Sequence, residues 1–124
     1  MTFSIVAREP ETGSFGVATA TGGPCVGALV PHAQNTIGAI ATQGDTNPFY
    51  GPDGLAMLKA GVSASAVVDR LTRADPGRDL RQLVIIGSSG EPAAFTGVGT
   101  TPSAGSLCGE HFAVAGNMLA NDGV

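Results

Sequence analysis

The residue with the clearest capacity for chemistry is Thr2, which follows Met1 at the start of a β-prone segment. A methionine before a small residue such as threonine is normally removed, and its removal leaves Thr2 with a free α-amine beside its own hydroxyl. A threonine hydroxyl is a poor nucleophile until a base takes its proton, and an N-terminal amine is such a base. The reference pKa of an α-amine is about 7.7–8.0, so a useful fraction is neutral near pH 7. On these residues alone, a threonine that merely begins a strand is the simpler interpretation.

A polar turn, Thr42–Asp45, lies between a predicted strand and a predicted helix. Backbone N–H groups in such a turn can stabilise a developing oxyanion because they are fixed before the charge forms. Gly44 lets a substrate approach the backbone closely. An ordinary strand-to-helix loop is the favoured alternative from sequence alone. His32 and His111 have no partner at the spacing of a metal site or a catalytic triad, and Asn117 fits a turn residue that tolerates left-handed φ.

Short β-prone segments separated by Gly, Pro and Asn predict a sheet of mainly antiparallel strands. The predicted strands are Thr2–Ala7, Phe15–Thr21, Cys25–Val30, Thr36–Thr42, Leu83–Ile86, Ala93–Thr96 and Phe112–Ala115. Two helices are predicted within Pro52–Arg73, with Gly61 capping the first and Ser63 starting the second. The stretch Gly97–Ser106 is predicted to be a loop. Strands followed by two helices and then by more strands predict an α+β fold.

The predicted core lies on one face of this sheet, beneath the two helices. Its members are Phe3, Ile5, Phe15, Val17, Ile37 and Ile85. Ile85 belongs to the continuous apolar run Leu83–Ile86, which predicts a strand that is covered on both faces.

Length and composition exclude several classes of function. A chain of 124 residues predicts a single domain. Charged residues make up only 13% of it and the net charge is −4, which argues against a nucleic-acid partner. No apolar run reaches the roughly 20 residues of a membrane span and no signal segment precedes the first strand, so a cytoplasmic location without membrane contact is expected. CxxC, HExxH, P-loop and GxGxxG motifs are all absent from the sequence, so neither a metal nor a cofactor is expected.

Several distinctive motifs occur in order over nearly the whole chain. They are Met1–Arg8, Pro10–Gly13, Val26–Pro31, Gly38–Gln43, Asn47-Pro48 with Tyr50-Gly51, Asp75–Arg78, Ala94–Gly97 and Gly116–Leu119. Together they resemble a bacterial family of unknown function, domain of unknown function 1028, which is placed with the N-terminal nucleophile (Ntn) hydrolases. The resemblance implies an Ntn-hydrolase-like αββα sandwich of antiparallel sheets between helix layers, and hydrolysis of an amide bond.

The resemblance also implies roles for particular residues in the cleavage of a small-molecule amide. Thr2 would be the nucleophile, its amine the base, and the backbone of Gln43 and Gly44 the oxyanion hole. The residues that would orient the substrate are Thr19, Thr21, Asn47 and Tyr50, with Asn117 as a further donor.

The sequence departs from proteasome-like Ntn enzymes, which carry an Asp after the second strand and a Lys after the third. The corresponding segments, Ala18–Thr21 and Gly27–Val30, contain no charged residue, and the only lysine, Lys59, lies in a predicted helix. The α-amine of Thr2 would therefore act nearly alone. The alternative function is a non-catalytic binding or assembly module that keeps the Ntn architecture.

Relatives in this family continue past the Gly116–Leu119 motif into further helix. Residues 1–124 are therefore expected to form one Ntn-hydrolase-like domain without its C-terminal helical part. A sheet left uncovered on one face would expose a large apolar patch. The expected partner is a complementary C-terminal fragment or, as the less favoured choice, a second copy of the chain, so the protein is expected to form an oligomer.

Overall fold

Segments rich in small and β-branched residues pair into two antiparallel sheets of four strands each in the computed structural model, which describes residues 1–100, 103–121 and 123–124. The strands are β1 Thr2–Arg8, β2 Phe15–Thr21, β3 Pro31–Gln34, β4 Gly38–Gly44, β5 Arg81–Gly87, β6 Ala93–Thr96, β7 Gly105–Cys108 and β8 Phe112–Asn117. The first sheet has the strand order β2-β1-β8-β7, and the second has the order β3-β4-β5-β6. The mixed α+β class and the antiparallel pairing are confirmed.

The two sheets pack face to face around small apolar residues. The core between them consists of Val6, Ala113 and Ala115 from the first sheet and Ala39, Ala41, Val84 and Ile86 from the second, together with Val30. Alanine at so many of these positions lets the two backbones approach closely, and few large side chains are needed to fill the space. This composition explains how a chain with little aromatic content still forms a buried core.

Two helices, α2 (Tyr50–Lys59) and α3 (Ala64–Ala74), cover the outer face of the second sheet. Strand β5 lies between this helix layer and the first sheet, so Leu83 and Ile85 face the helices while Val84 and Ile86 face the core between the sheets. All four side chains are fully buried. The prediction that this strand is covered on both faces is therefore confirmed.

Local sequence signals set the boundaries of these helices. Gly61 adopts a φ of 83°, and its N–H donates to the carbonyl of Leu58 at 2.9 Å, which ends α2. The side chain of Ser63 accepts from the backbone N–H of Ala66 and caps the start of α3. Helix α3 then stops before Asp75, which precedes a proline. Both predicted capping residues are confirmed.

Two predicted segments have different structures. Within the predicted strand Cys25–Val30, residues Val26–Leu29 form a short helix, α1, and the third strand begins at Pro31. Proline has no N–H to donate, which suits the first position of the edge strand β3. The predicted loop Gly97–Ser106 is also wrong in part, because its last two residues belong to the edge strand β7. Residues 101 and 102 of that loop lie outside the described residues.

The prediction of one shared core face for six apolar residues is wrong. Phe3 and Ile5 lie on the outer face of the first sheet, where they are 47% and 40% exposed. The inner positions of β1 are taken by Ser4 and Val6, which are buried between the sheets. Because side chains alternate along a strand, an inward Ser4 forces its two neighbours outward.

The other four residues of the predicted face are divided among three places. Phe15 and Val17 pack at the margin of the core between the sheets. Ile37 is half-buried in the turn before β4. Ile85 alone lies in the core beneath the helices, as predicted.

The described residues therefore form three layers, namely the α2 and α3 pair, the second sheet and the first sheet. Within the described residues, no helix packs on the outer face of the first sheet, so one of the two helix layers of the expected αββα arrangement is present. None of the helices in the described part of the chain is both long enough and apolar enough to cross a lipid bilayer.

Candidate active site

Thr2 begins strand β1, and its side chain lies on the inner face at one end of the first sheet. The sheet register places it between Thr21 of β2 and Asn117 of β8. The Oγ1 atoms of Thr2 and Thr21 are 2.8 Å apart and share a hydrogen bond. Three polar side chains from three strands therefore meet at this end of the sheet, because strand pairing brings the start of β1 beside the ends of β2 and β8.

Strand β4 of the second sheet ends at Gln43 and Gly44, opposite Thr2. Gly44 has a φ of 85°, and a Cβ atom built on it would lie 2.6 Å from the carbonyl oxygen of Leu80. This position therefore favours glycine for both backbone conformation and space. A cavity of about 180 Å³ separates the two strand ends. It is lined by Thr2, Thr21, Gln43, Gly44 and Thr46, and by Gly23, Pro24, Val26, Leu29 and Val30 from the segment around α1.

A chain of side-chain hydrogen bonds runs behind this cavity and joins the two sheets. Thr19 is bonded to Ser4 at 2.9 Å, and Ser4 donates to the side-chain oxygen of Gln43. The Nε2 of Gln43 donates to the Oε1 of Gln82 at 2.7 Å, and the Nδ2 of Asn117 donates to the same oxygen at 3.1 Å. Each amide thus has its orientation fixed by the next one. Thr19 bonds to Ser4 and lies at the end of this network that is farthest from Gln82 and Asn117.

Gln82 is the residue of this region that sequence reasoning missed. Its side chain is fully buried, and its Nε2 lies within 3.0 Å of three acceptors, Thr96 Oγ1 and the carbonyl oxygens of Gly105 and Gly116. The available signal was a glutamine at the start of an otherwise apolar buried strand, where an unpaired amide would be costly. Its partner could be identified only from the pairing of β4 with β5, which sets Gln43 opposite Gln82.

The structure does not bring Asn47 and Tyr50 to the Thr2 cavity. Both donate to the Oδ2 of Asp75, Asn47 through its Nδ2 at 3.4 Å and Tyr50 through its hydroxyl at 2.8 Å. The same oxygen accepts from Nε of Arg81 at 3.0 Å. The two residues therefore join α2 to the end of α3 and the start of β5.

Titration properties in this second cluster follow from its burial and its hydrogen bonds. Burial, reinforced by the bond to the Asp75 carboxylate, raises the pKa of the Tyr50 hydroxyl above its ordinary value. Burial opposes ionisation of Asp75, but hydrogen bonds from Arg81, Tyr50 and the backbone N–H of Gly77 outweigh it and hold the pKa of that carboxyl well below its usual range. Asp75 is thus a charged residue with a structural role, since its carboxylate accepts hydrogen bonds from Tyr50, Gly77 and Arg81.

Comparison with known proteins gives the family. Residues 2–124 match the sequence model of DUF1028, a family of unknown function. This chain belongs to the DUF1028 family. The crystal structure of protein SPO2555 from Silicibacter pomeroyi, assigned to the same family, is 38% identical in sequence and superposes with a TM-score of 0.93. The match covers 98% of this chain and 56% of that chain, so this chain spans little more than half the length of that relative. None of the curated proteins matches the chain.

Among the described residues, the lining of the Thr2 cavity in this DUF1028 chain combines hydroxyl groups with the end of a strand and includes no charged residue. Met1 is attached to Thr2 and is 55% exposed, so its removal would free the α-amine without disturbing the core. Among the described residues, no three His, Cys, Asp or Glu side chains are grouped closely enough to hold a metal ion.

Proposed function

We propose that this DUF1028 chain belongs to an Ntn-type amidohydrolase in which Thr2, after removal of Met1, cleaves the amide bond of a small molecule. The observation that carries the proposal is the position of Thr2. It begins β1 at the open end of a two-sheet sandwich and shares a cavity with the strand end at Gln43 and Gly44. The proposal extends to the Ntn-hydrolase-like αββα architecture, of which the two antiparallel sheets and one helix layer are described above.

The proposed reaction has two steps that use the same groups. Oγ1 of Thr2 attacks the carbonyl carbon of the substrate while the α-amine of Thr2 takes the hydroxyl proton. The carbonyl electron pair moves to the oxygen, and the backbone N–H groups of Gln43 and Gly44 stabilise this oxyanion. The pair then re-forms the carbonyl, the C–N bond breaks, and the departing amine takes the proton from the α-ammonium. A water molecule, deprotonated by the α-amine, hydrolyses the resulting threonine ester and restores the free hydroxyl.

The surrounding residues receive different roles in this proposal. Thr21 holds the hydroxyl of Thr2 in place through the 2.8 Å bond between their Oγ1 atoms. Asn117 is a positioning residue, because its side chain bonds to Gln82 in the network behind Gln43, whereas Thr19 supports the fold through its bond to Ser4 at the far end of that network.

Two residues that the family resemblance assigned to the substrate receive a structural role instead. Asn47 and Tyr50 both donate to the carboxylate of Asp75. Neither residue lines the cavity at Thr2. A substitution of either is therefore expected to change stability more than the reaction at Thr2.

The cavity limits the class of substrate. Its volume of about 180 Å³ holds a small group only, because one water molecule takes up roughly 30 Å³ of liquid. None of the described residues that line it is charged, and a charged group buried there without a partner would be strongly destabilised. We therefore expect the part of the substrate that enters the cavity to be small and neutral.

Covalent labelling of Thr2 tests the proposal. A peptide epoxyketone reacts with a hydroxyl and an amine on the same residue, so it is expected to label Thr2 in protein that lacks Met1 and to spare protein that retains Met1. Thr12, an exposed turn residue, provides the matched control, since Thr12→Ala should leave labelling unchanged and Thr2→Ala should abolish it. Absence of labelling by several such probes in Met1-free protein would overturn the proposal, and labelling at Ser4 would assign the nucleophile elsewhere.

The second candidate function is a non-catalytic binding or assembly module with the same architecture. The observation that favours it is that no described residue in the lining of the Thr2 cavity is charged, so among these residues the Thr2 amine alone could serve as the base. The intact mass of the purified protein separates the two candidates. Retained Met1 keeps the nitrogen of Thr2 in a peptide bond and supports the binding module, whereas a mass without Met1 supports the hydrolase.

A further inference from the structure

We infer that a depression beside the Thr2 cavity, between the end of β8 and the start of β5, is a second substrate subsite that takes an apolar, uncharged substituent of the amide. The inference rests on the proposed function, because it treats Thr2 as the nucleophile. It names a class of substrate, namely amides with a small neutral group on one side of the scissile bond and an aliphatic or aromatic group on the other.

The depression and the Thr2 cavity lie on opposite sides of Thr2 and Gly44. Thr2 lies between Thr21 and Asn117 in the first sheet, and β4 likewise lies between β3 and β5 in the second. The Thr2 cavity is on the Thr21 side, the depression is on the Asn117 side, and Gly44 lines both. The depression has a volume of about 310 Å³, and its lining includes Gly44, Asp45, Leu80, Gly99, Asn117 and Met118.

A secondary amide suits two cavities arranged in this way, because its bond is planar and trans. Its two substituents therefore leave the C–N bond in opposite directions. When the carbonyl carbon lies at Oγ1 of Thr2 and the oxygen at the N–H of Gly44, one substituent enters the Thr2 cavity and the other is directed past Asn117. The smaller substituent belongs in the Thr2 cavity, since its volume is about 180 Å³ against about 310 Å³ for the depression.

Leu80 and Met118 give the depression its apolar character. Both side chains line it, and they are 47% and 58% exposed. A ligand in contact with them would remove this apolar surface from water. An apolar cavity of about 150 Å³ takes up benzene, so the depression has room for a ring or a short aliphatic chain.

Met118 has an unusual backbone conformation at this position. Its φ is 52°, in the left-handed region that glycine and asparagine adopt more readily than methionine. The residue follows Asn117, whose side chain is fixed by a 3.1 Å bond to Gln82, so β8 is held in place up to this point. Conformations of this kind cluster at ligand sites. A methionine here costs the fold more than a glycine would, which favours a role for its side chain in the depression.

Hydrogen bonds hold the walls of the depression in place. The N–H of Asp45 donates to the carbonyl of Leu80 at 3.0 Å, and the N–H of Gly99 donates to the carbonyl of Asp79 at 2.7 Å. A Cβ atom built on Gly99 would lie 3.0 Å from Cδ2 of Leu80, so a side chain there would crowd the depression. A ligand that enters a site already formed loses less affinity to the ordering of loops and side chains.

The charge at the rim favours a neutral substituent. Among the described residues that line the depression, Asp45 is the one with an ionisable side chain. Its carboxylate forms an ion pair with Nη1 of Arg81 at 3.2 Å, and the same nitrogen donates to the carbonyl of Asp45 at 2.5 Å. Because this carboxylate already has a cationic partner, it offers little to a charged substituent.

Binding of simple amides to the Met1-free protein tests the subsite, with NMR of the Leu80 and Met118 methyl groups as the readout. N-benzylacetamide and the reversed amide N-methylphenylacetamide each join a small neutral group to a ring, and N-methylacetamide has no ring. At least one of the two ring-containing amides is expected to bind about tenfold more tightly than N-methylacetamide, because its ring leaves water. Its ring protons should show nuclear Overhauser effects to the methyl groups of both residues.

Substitutions in the depression should remove this advantage of the ring. Met118→Gln and Leu80→Gln keep the approximate size of the side chain and replace apolar surface with an amide, so the advantage should fall to about twofold or less. Phe49→Gln is the matched control and should leave the advantage intact, because Phe49 is 70% exposed and lines neither cavity. The Overhauser effects in the unsubstituted protein carry the test if either variant fails to fold.

Thr2→Ala separates this inference from the proposed function. It removes the nucleophile and leaves the depression, so the advantage of the ring should persist while epoxyketone labelling is lost. An advantage of the ring in protein that no epoxyketone labels would overturn the proposed hydrolysis and support the depression as a ligand site. Labelling at Thr2 without any advantage of the ring would overturn the subsite alone.

Two further outcomes would overturn the subsite. Tighter binding of the cationic analogue N-(para-aminomethylbenzyl)acetamide than of N-benzylacetamide would assign a charged substituent to Asp45. Nuclear Overhauser effects from the ring to Phe3 or Leu107 would place it on the outer face of the first sheet instead.

Discussion

The side-chain amides of Gln43 and Gln82 bond to each other between the two sheets, with Nε2 of Gln43 donating to Oε1 of Gln82 at 2.7 Å. Both residues are buried, and they face each other in the register of β4 with β5. Because Gln43 also accepts from Ser4 of the first sheet, the pair joins the two halves of the sandwich directly behind the Thr2 cavity. The same amides therefore contribute to stability and fix the strand end that would hold an oxyanion.

Gln82→Met tests how much this network stabilises the fold. Methionine is similar in volume but leaves the amides of Gln43 and Asn117 without their shared acceptor. A buried donor left unsatisfied costs about 1–3 kcal/mol, so we expect the free energy of unfolding to fall by roughly 2–4 kcal/mol. Urea denaturation measures the change. The control is Gln34→Met in the exposed part of β3, where the loss should stay within about 0.5 kcal/mol.

Ile85→Ala tests the assignment of the helix-covered core. Ile85 is fully buried against the residues of α2 and α3, and truncation of such an aliphatic side chain costs about 2–5 kcal/mol. Val98→Ala removes a side chain that is 91% exposed and should leave the unfolding free energy nearly unchanged. A measured loss below about 1 kcal/mol for Ile85→Ala would contradict the layer assignment.

Features with local causes were predictable from the sequence. The helix pair follows from Gly61 and Ser63, whose backbone freedom and capping side chain act on neighbouring residues only. Strand β5 follows from its uninterrupted apolar run. The facing direction of β1 was not predictable in this way, because Phe3 and Ile5 are as apolar as Val6 on the opposite side. Only the packing of the second sheet against Ser4 and Val6 decides which side is buried.

The residues of the candidate site also divide into those that could be predicted from the local sequence and those whose contacts are with distant parts of the chain. Thr2 stands out in the sequence because it follows Met1 at the start of a β-prone segment, and Gly44 stands out because it lies in a polar turn. Gln82 does not stand out, because its importance arises from partners on four other strands. Asn47 and Tyr50 were assigned to the substrate through the resemblance alone, and their contacts with Asp75 could be identified only from the structure.

The cluster around Asp75 predicts a stability loss in acid. The pKa of Asp75 is lower in the folded chain than its unfolded value of about 3.9, so unfolding takes up a proton once the pH approaches that value. The stabilisation from Asp75 is therefore complete above about pH 5 and is lost progressively as the pH falls through 4 and below. Asp75→Asn should lower the unfolding free energy at pH 7 by roughly 1.5–3 kcal/mol, the range for hydrogen bonds to charged groups.

Measurement of the unfolding free energy between pH 7 and pH 3 distinguishes this effect from general acid sensitivity. The curves for the unsubstituted chain and for Asp75→Asn should converge as the pH falls, because protonation of Asp75 removes the same charge. Asp69→Asn is the control, since Asp69 is exposed and forms only a surface ion pair with Arg73. Parallel curves for Asp75→Asn and the unsubstituted chain would show that Asp75 is not the group responsible.

The bond between Thr2 and Thr21 supplies a sharper test of the reaction proposed for the cavity. Thr21→Val keeps the shape of the side chain and removes the hydroxyl that lies 2.8 Å from Oγ1 of Thr2. A neutral hydrogen bond contributes about 0.5–1.5 kcal/mol, so the rate at which an epoxyketone labels Thr2 should fall roughly 2- to 10-fold.

Thr19→Val is the matched control, because Thr19 bonds to Ser4 instead of Thr2. It should alter the urea midpoint while changing the labelling rate by less than about twofold. If Thr19→Val slowed labelling as much as Thr21→Val at equal stability, the contact between Thr2 and Thr21 would have no particular role in orienting the nucleophile.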